Sequence, residues 1–275
     1  MQRWRRLGII AGAGALPLRL AQAAGAPHVL RLSGLADADF TGFDTSECGI
    51  AEAGKMMRRL KEAGCDAIAF AGVVRRPDFT KLAPDWRGAA LLPGVVAAAA
   101  RGDGALLQFI VDTFEREGFR VIGAEEVASS LTAPAGVLTA AAPSADDWAD
   151  IRKAAAIIGA LGPFDVGQGA VVAAGLALAV EAAEGTDRML ERCAGLRGAA
   201  RGGVLVKRPK PGQELRIDLP TIGVETVRRA DAARLSGVAF EAGAALLIDR
   251  EAVVEEANRR GLFLVGFAAA ELAAP

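Results

Sequence analysis

A chain of 275 residues is near the size at which a single hydrophobic core stops growing, so one large or two medium domains are expected. Apolar residues make up 52% and charged residues 24%, with a net charge of −1: a globular composition, neither disordered nor a nucleic-acid binder. The three cysteines, Cys48, Cys65 and Cys193, are odd in number and far apart, so no disulfide framework is implied.

Met1 to Ala26 has a basic start and an apolar middle like a secretion signal, but Arg19 interrupts the apolar run. Leu7 to Ala11, followed by Gly12, Gly14 and Pro17, fits a strand, a tight turn and a helix from about Leu16 to Ala24. His28 to Leu32 is a second strand. Helical periodicity runs from Ala51 to Ala63, and Ala67 to Ala71 is the next strand. Helices over Ala89 to Ala100 and Ala105 to Glu117 lead to a strand at Arg120 to Ile122. This alternation predicts a Rossmann-like α/β domain with an open parallel sheet and ligands at the strands' C-terminal ends.

The stretch 132–143 contains Thr132, Pro134, Gly136 and Pro143 and has no useful period, so it is read as a linker between domains spanning 1–131 and 144–275. Ser144 then caps a helix reaching about Leu161. Strands follow near Ala170 to Ala173, Ala177 to Glu181, Gly203 to Val206, Leu246 to Asp249 and Phe263 to Val265. Helices fit Thr186 to Ala194, Val224 to Ala233 and Arg250 to Gly261, making the second domain α/β as well. The longest apolar runs are about a dozen residues, whereas a bilayer span needs roughly 20. A cytosolic protein is expected.

Several motifs fail. Gly12-Ala13-Gly14-Ala15-Leu16-Pro17 starts like a dinucleotide fingerprint, but Pro17 takes the third glycine position and no acid ends the second strand. The turn either brings N–H groups to a phosphate or is a plain βα turn. Gly49 to Met56 matches a P-loop except at Met56, which has no hydroxyl for magnesium, and reads as a helix start with a solvated Lys55. His28 is the single histidine, so zinc and Ser-His-Asp chemistries lose their support. Hydrolysis would then fall to carboxylates and a hard cation such as Mg²⁺.

Charged loops carry the chemistry that remains. Phe70-Ala71-Gly72 leads into Arg75-Arg76-Pro77-Asp78-Phe79 at a strand's C-terminal end, where arginine forks suit phosphate oxygens. Glycines surround Gln168 in Asp165-Val166-Gly167-Gln168-Gly169, which lets backbone approach a ligand. Glu181 ends a run expected to be buried and needs a partner, a cation or a lysine, while Thr186 reads as an N-cap and Asp187 as answering the helix dipole. Lys207-Arg208-Pro209-Lys210-Pro211-Gly212-Gln213 is a basic, proline-stiffened loop, and Asp218 and Glu225 bracket a turn into a helix. Arg3 to Arg6 with Trp4 either touch anionic lipid or form a frayed basic terminus.

The second-half segments, with Asp218-Leu219-Pro220-Thr221-Ile222-Gly223, closely resemble the LpxI-type UDP-2,3-diacylglucosamine pyrophosphatases. Gly8-Ile9-Ile10-Ala11-Gly12 and the Phe70 to Phe79 segment extend the resemblance over almost the whole chain. It implies Mg²⁺-dependent hydrolysis of a lipid-linked UDP-sugar to UMP and 2,3-diacylglucosamine 1-phosphate in lipid A biosynthesis. Two linked domains, a homodimer and peripheral contact with the cytoplasmic face of the inner membrane are implied as well. Asp218, Glu225, Lys207, Lys210 and Gln168 become the catalytic candidates. Gly12, Gly14, Gly72, Arg76, Asp78, Gln213 and Thr221 would bind substrate, and Glu181, Asp187, Asp218 and Glu225 would hold the metal.

The chain departs from the pattern at Glu225, where an aspartate is expected, and glutamate shifts the carboxylate by roughly 1 Å. Gly104 and Glu125 also differ from the pattern and inherit no role. A lipid- or nucleotide-binding protein that has lost turnover is the alternative, and a NAD-dependent oxidoreductase is a third reading.

Overall fold

The computed structural model describes residues 4–74, 77–196 and 200–272. The chain is α/β throughout and divides into two compact units. One takes the chain to Ser129 together with Glu214–Asp218; the other takes Ser130–Gln213 and the chain from Leu219 onward.

In the first unit the elements run β1 (Leu7–Ala11), α1 (Leu16–Ala23), β2 (His28–Leu32), β3 (Asp44–Cys48), α2 (Ala53–Glu62), β4 (Ala67–Ala71), α3 (Trp86–Ala99), α4 (Asp103–Arg116), β5 (Arg120–Val121) and α5 (Ala124–Val127). The sheet order is β3-β2-β1-β4-β5 and every pairing is parallel. The central strands are buried at nearly every position, as expected of a parallel sheet covered on both faces. Met56, Met57 and Leu60 of α2 pack with Ile10, Leu30, Ile68 and Phe114 in one core. β3 is absent from the sequence reading because Asp-Thr-Ser-Glu-Cys has no apolar run; it is an edge strand, mostly exposed.

The second unit contains β6 (Gly136–Val137), α6 (Ala145–Leu161), β7 (Gly169–Ala173), β8 (Leu176–Val180), α7 (Gly185–Gly195), β9 (Val204–Lys207), β10 (Thr221–Ile222), α8 (Val224–Ala232), β11 (Gly237–Glu241), β12 (Leu246–Leu247), α9 (Arg250–Arg260) and β13 (Phe263–Phe267). Its main sheet is mixed, in the order β6-β13-β11-β9-β7-β8; β10 and β12 form a separate parallel pair. Side chains alternate between the faces. Val204 and Val206 of β9 pack with Ile151 and Ile158 of α6, whereas Leu205 packs with Met189 of α7, Val227 of α8 and Val253 of α9.

Two expectations change here. Residues 132–143 do not stand apart as a linker. Ala133 is fully buried with its N–H on Ala245 O, and β6 pairs with β13. Glu214–Asp218, sequence from the second half, folds with the first unit: Arg216 pairs with Glu115 at 2.6 Å and Ile217 packs on that unit's core. At the N-terminus, Arg5 and Arg6 give their backbone N–H groups to Asp66, and the Arg6 guanidinium reaches Asp44. The backbone there is held rather than frayed, the Arg5 side chain stays exposed, and Arg3 lies outside the described residues.

Candidate functional site

The strand register of the second unit sets Gly169 of β7 opposite Lys207 of β9 and, on the other side, beside Glu181 after β8. The three form one row on the face covered by α7. Lys207 is 5% exposed and Glu181 8%, so both charges are taken out of water. They meet through Thr186: its Oγ1 accepts from Lys207 Nζ at 2.7 Å and donates to Glu181 Oε1 at 2.9 Å. Glu181 Oε2 is buried without a hydrogen-bond partner. Thr186 is therefore not the N-cap expected from sequence; Glu184 holds that position, with no side-chain cap. The run before Glu181 also differs from expectation, since β8 is an edge strand and Leu176 is exposed.

Two loops are laced together at the end of this row. Lys210 Nζ pairs with Asp165, Gln213 Nε2 donates to Gln168 Oε1 at 3.2 Å, and Arg208 N donates to Gln168 O at 3.0 Å. Gln213 Oε1 in turn accepts from Lys210 N at 2.8 Å. Arg208 pairs with Glu241 of β11 at 2.9 Å. Gln168, Lys210 and Gln213 are thus linked by hydrogen bonds at the strand ends, with Lys207 next in chain to Arg208, and each cation there has a carboxylate as its neighbour or one hydroxyl away. These cations suit phosphate oxygens.

The carboxylates assigned to metal are arranged differently. Asp187 of α7 and Glu225 of α8 both turn to Arg229, at 3.4 and 3.0 Å, and Glu191 joins them. A guanidinium already answers these acids, and Asp218 groups with the first unit. Among the described residues, no three His, Cys, Asp or Glu side chains gather as a metal site. Mg²⁺ needs fewer, since it keeps waters and takes one or two carboxylates together with substrate phosphates. Glu181, with an unmatched buried oxygen, fits that requirement. Thr221 donates its hydroxyl to Leu219 O at 3.1 Å, a local turn bond.

In the first unit Gly12 and Gly72 stand where backbone packs closely, whereas a Cβ on Gly14 would meet nothing within 4 Å. A Cβ on Gly12 would lie 2.8 Å from Val73 O, and one on Gly72 would lie 2.5 Å from Ala13 O. The β1 and β4 loops close on each other there through an Ala13–Val73 bridge. Gly14 N already donates to Asp37 Oδ1 at 2.7 Å, so a carboxylate sits where a phosphate was expected. Asp78 accepts from Thr80 N and Oγ1 and pairs with Lys81 at 3.3 Å, which makes it a turn residue. Arg75 and Arg76 lie outside the described residues. The P-loop look-alike is a helix start, and Lys55 pairs with Glu52 at 2.9 Å.

Sequence reasoning found no support for His28 as a base and did not foresee its partners. Its Nδ1 lies 2.9 Å from Asp44 Oδ2 and its Nε2 2.8 Å from Ser46 Oγ, a Ser–His–Asp series on the start of β2 and on β3. The carboxylate can only accept, so Nδ1 carries a proton. The ring is 5% exposed and stands at the opposite end of the sheet from the strands' C-termini. It is a buried histidine satisfied on both nitrogens. Arg229 was also missed, although its i,i+4 spacing from Glu225 was a visible signal.

Comparison with known proteins agrees with this architecture. Residues 6–131 match the profile described as "LpxI N-terminal domain", and residues 134–265 match "LpxI C-terminal domain". The UDP-2,3-diacylglucosamine pyrophosphatase LpxI of Caulobacter vibrioides is 50% identical over 272 residues, covering 95% of this chain and 97% of that protein.

Proposed function

The chain belongs to the LpxI family, and on that premise we propose that it hydrolyses the pyrophosphate of UDP-2,3-diacylglucosamine to UMP and 2,3-diacylglucosamine 1-phosphate in lipid A biosynthesis. The observation that carries this reading is the match of both halves of the chain to that family.

The second unit supports the chemistry. Water adds to one phosphorus while the bridging P–O bond breaks, and the proton that water loses passes to a carboxylate. Negative charge grows on the phosphate oxygens as this happens, and fixed cations stabilise it most where water is excluded. Lys207 is buried in such a position, and Lys210 is held in a fixed place by Asp165. Asp218 and Glu225 are the candidates to orient the water. Mg²⁺ is part of the proposal: held by Glu181 through Oε2, it would withdraw charge from the phosphate oxygens.

We place the enzyme at the cytoplasmic face of the inner membrane, as a peripheral homodimer. Among the described residues no helix is long and apolar enough to cross a membrane. α3 is an apolar helix with Trp86, Pro93 and Val96 exposed, which suits contact with lipid.

The test is UMP release from UDP-2,3-diacylglucosamine by the purified chain, with Mg²⁺ and after exhaustive chelation. Release that chelation abolishes supports both parts of the reading. Undiminished release after chelation removes the cation. No release at all, with substrate still bound tightly, would favour the non-catalytic binder that Glu225 raises.

A further inference from the structure

Thr186 stands in the first turn of α7 but caps nothing. Its hydroxyl has one proton, and the Lys207 ammonium cannot accept it, so the proton goes to Glu181 Oε1. The direction of the series Lys207 to Thr186 to Glu181 is therefore fixed by chemistry alone.

This arrangement leaves both ends with unmet capacity. An ammonium has three donors, and among the described residues Lys207 uses one, on Thr186. Glu181 has Oε2 without a partner. A buried donor or acceptor left unmatched is costly, so such groups need a reason to persist. Gly169 explains where Oε2 lies. A Cβ on that glycine would come within 2.6 Å of it, so the oxygen occupies space that any other residue would fill.

We propose that Thr186 is a positioning residue that holds Lys207 and Glu181 as one donor–acceptor pair, Lys207 for a phosphate oxygen and Glu181 for the group beside it. The inference rests on the hydrolytic function proposed above. A hydroxyl between the two charges keeps them from collapsing into a direct ion pair, which would consume the capacity that the ligand needs.

Thr186→Val keeps the branched shape and removes the hydroxyl; Thr186→Ser keeps the hydroxyl. With UDP-2,3-diacylglucosamine, T186V is expected to lower kcat by about 100-fold while KM moves less than about threefold, the scale of a 1 Å misplacement. T186S should recover to within about fivefold of wild type. Glu181→Gln should be as slow as T186V, and the double variant no slower than either. A hydrogen-bonded Lys207 ammonium signal in ¹⁵N-edited spectra, identified by its loss in Lys207→Gln, should keep its position in T186S and move in T186V, where the ammonium closes directly onto Glu181.

Wild-type kcat in T186V, or T186S as slow as T186V, overturns the inference. Should T186V fail to fold, unimpaired turnover by E181Q overturns it equally. If wild type releases no UMP, it is the functional reading that fails. The ammonium signal then still decides the role of Thr186, and an unchanged position in T186V sinks the inference.

Discussion

Glu225 and Arg229, one helical turn apart on α8, face each other at 3.0 Å, and the same guanidinium lies 3.4 Å from Asp187 on α7. Arg229 keeps three acids from repelling one another, because Glu191 also binds it. If Glu225 orients the water as proposed, Glu225→Ala should lower the rate of UMP release by about 100-fold. Arg229→Met should slow it by about tenfold through the misplaced Glu225. The acids are exposed and the guanidinium half-buried, so the melting temperature should barely move in either variant. Full turnover by E225A would remove Glu225 from the mechanism.

Gly72 offers a separation of packing from binding. Its φ is +90°, and a Cβ would meet backbone at Ala13 O, which cannot swing aside. Gly72→Ala should therefore cost about 2–4 kcal/mol in urea unfolding. If KM rises with stability unchanged, the glycine serves the ligand instead.

The His28 series predicts a stability effect without a catalytic one. Its hydrogen bond holds the Asp44 carboxyl below the usual aspartate range, with desolvation opposing and Arg6 adding to the effect. His28→Ala leaves Ser46 and Asp44 without that partner and should destabilise by about 1–3 kcal/mol. UMP release measured below the melting transition should equal wild type; a large loss would give the triad-like series a chemical role.

Glu256 of α9 is ringed by Arg259, Arg260 and Arg228, and its carboxyl is held down to about 2 from an ordinary 4.5, chiefly by hydrogen bonds from Arg259 and Arg260. A depressed carboxyl stabilises the fold above its unfolded value and loses that contribution as pH falls toward its folded value. The Tm difference between wild type and Glu256→Gln should thus be full at pH 5 and above and shrink steadily toward pH 2. A difference constant across that range would contradict the assignment.

Much of the fold is legible in the sequence. β1, β2 and β4 are apolar five-residue runs between turns, and their bounds in the fold are those the sequence suggests. β11 escaped, although it is central and buried, because Gly-Val-Ala-Phe-Glu sits in an alanine-rich stretch without a clear period. In the site, burial logic demanded a partner for Glu181, and a lysine does answer it, but only through Thr186. No spacing rule reveals that link. It depends on β7 lying between β8 and β9, a pairing between distant segments. The capping rule for threonine pointed the wrong way because tertiary contacts claimed the hydroxyl.

The excursion of Glu214–Asp218 into the first unit has a consequence for hybrid proteins. Joining the amino-terminal half of one relative to the carboxy-terminal half of another, at the peptide bond after Leu131, would leave Arg216 facing a foreign residue in place of Glu115 and Ile217 against a foreign core. A working chimera has to graft those five residues along with the half they fold into, although more than eighty positions of sequence intervene.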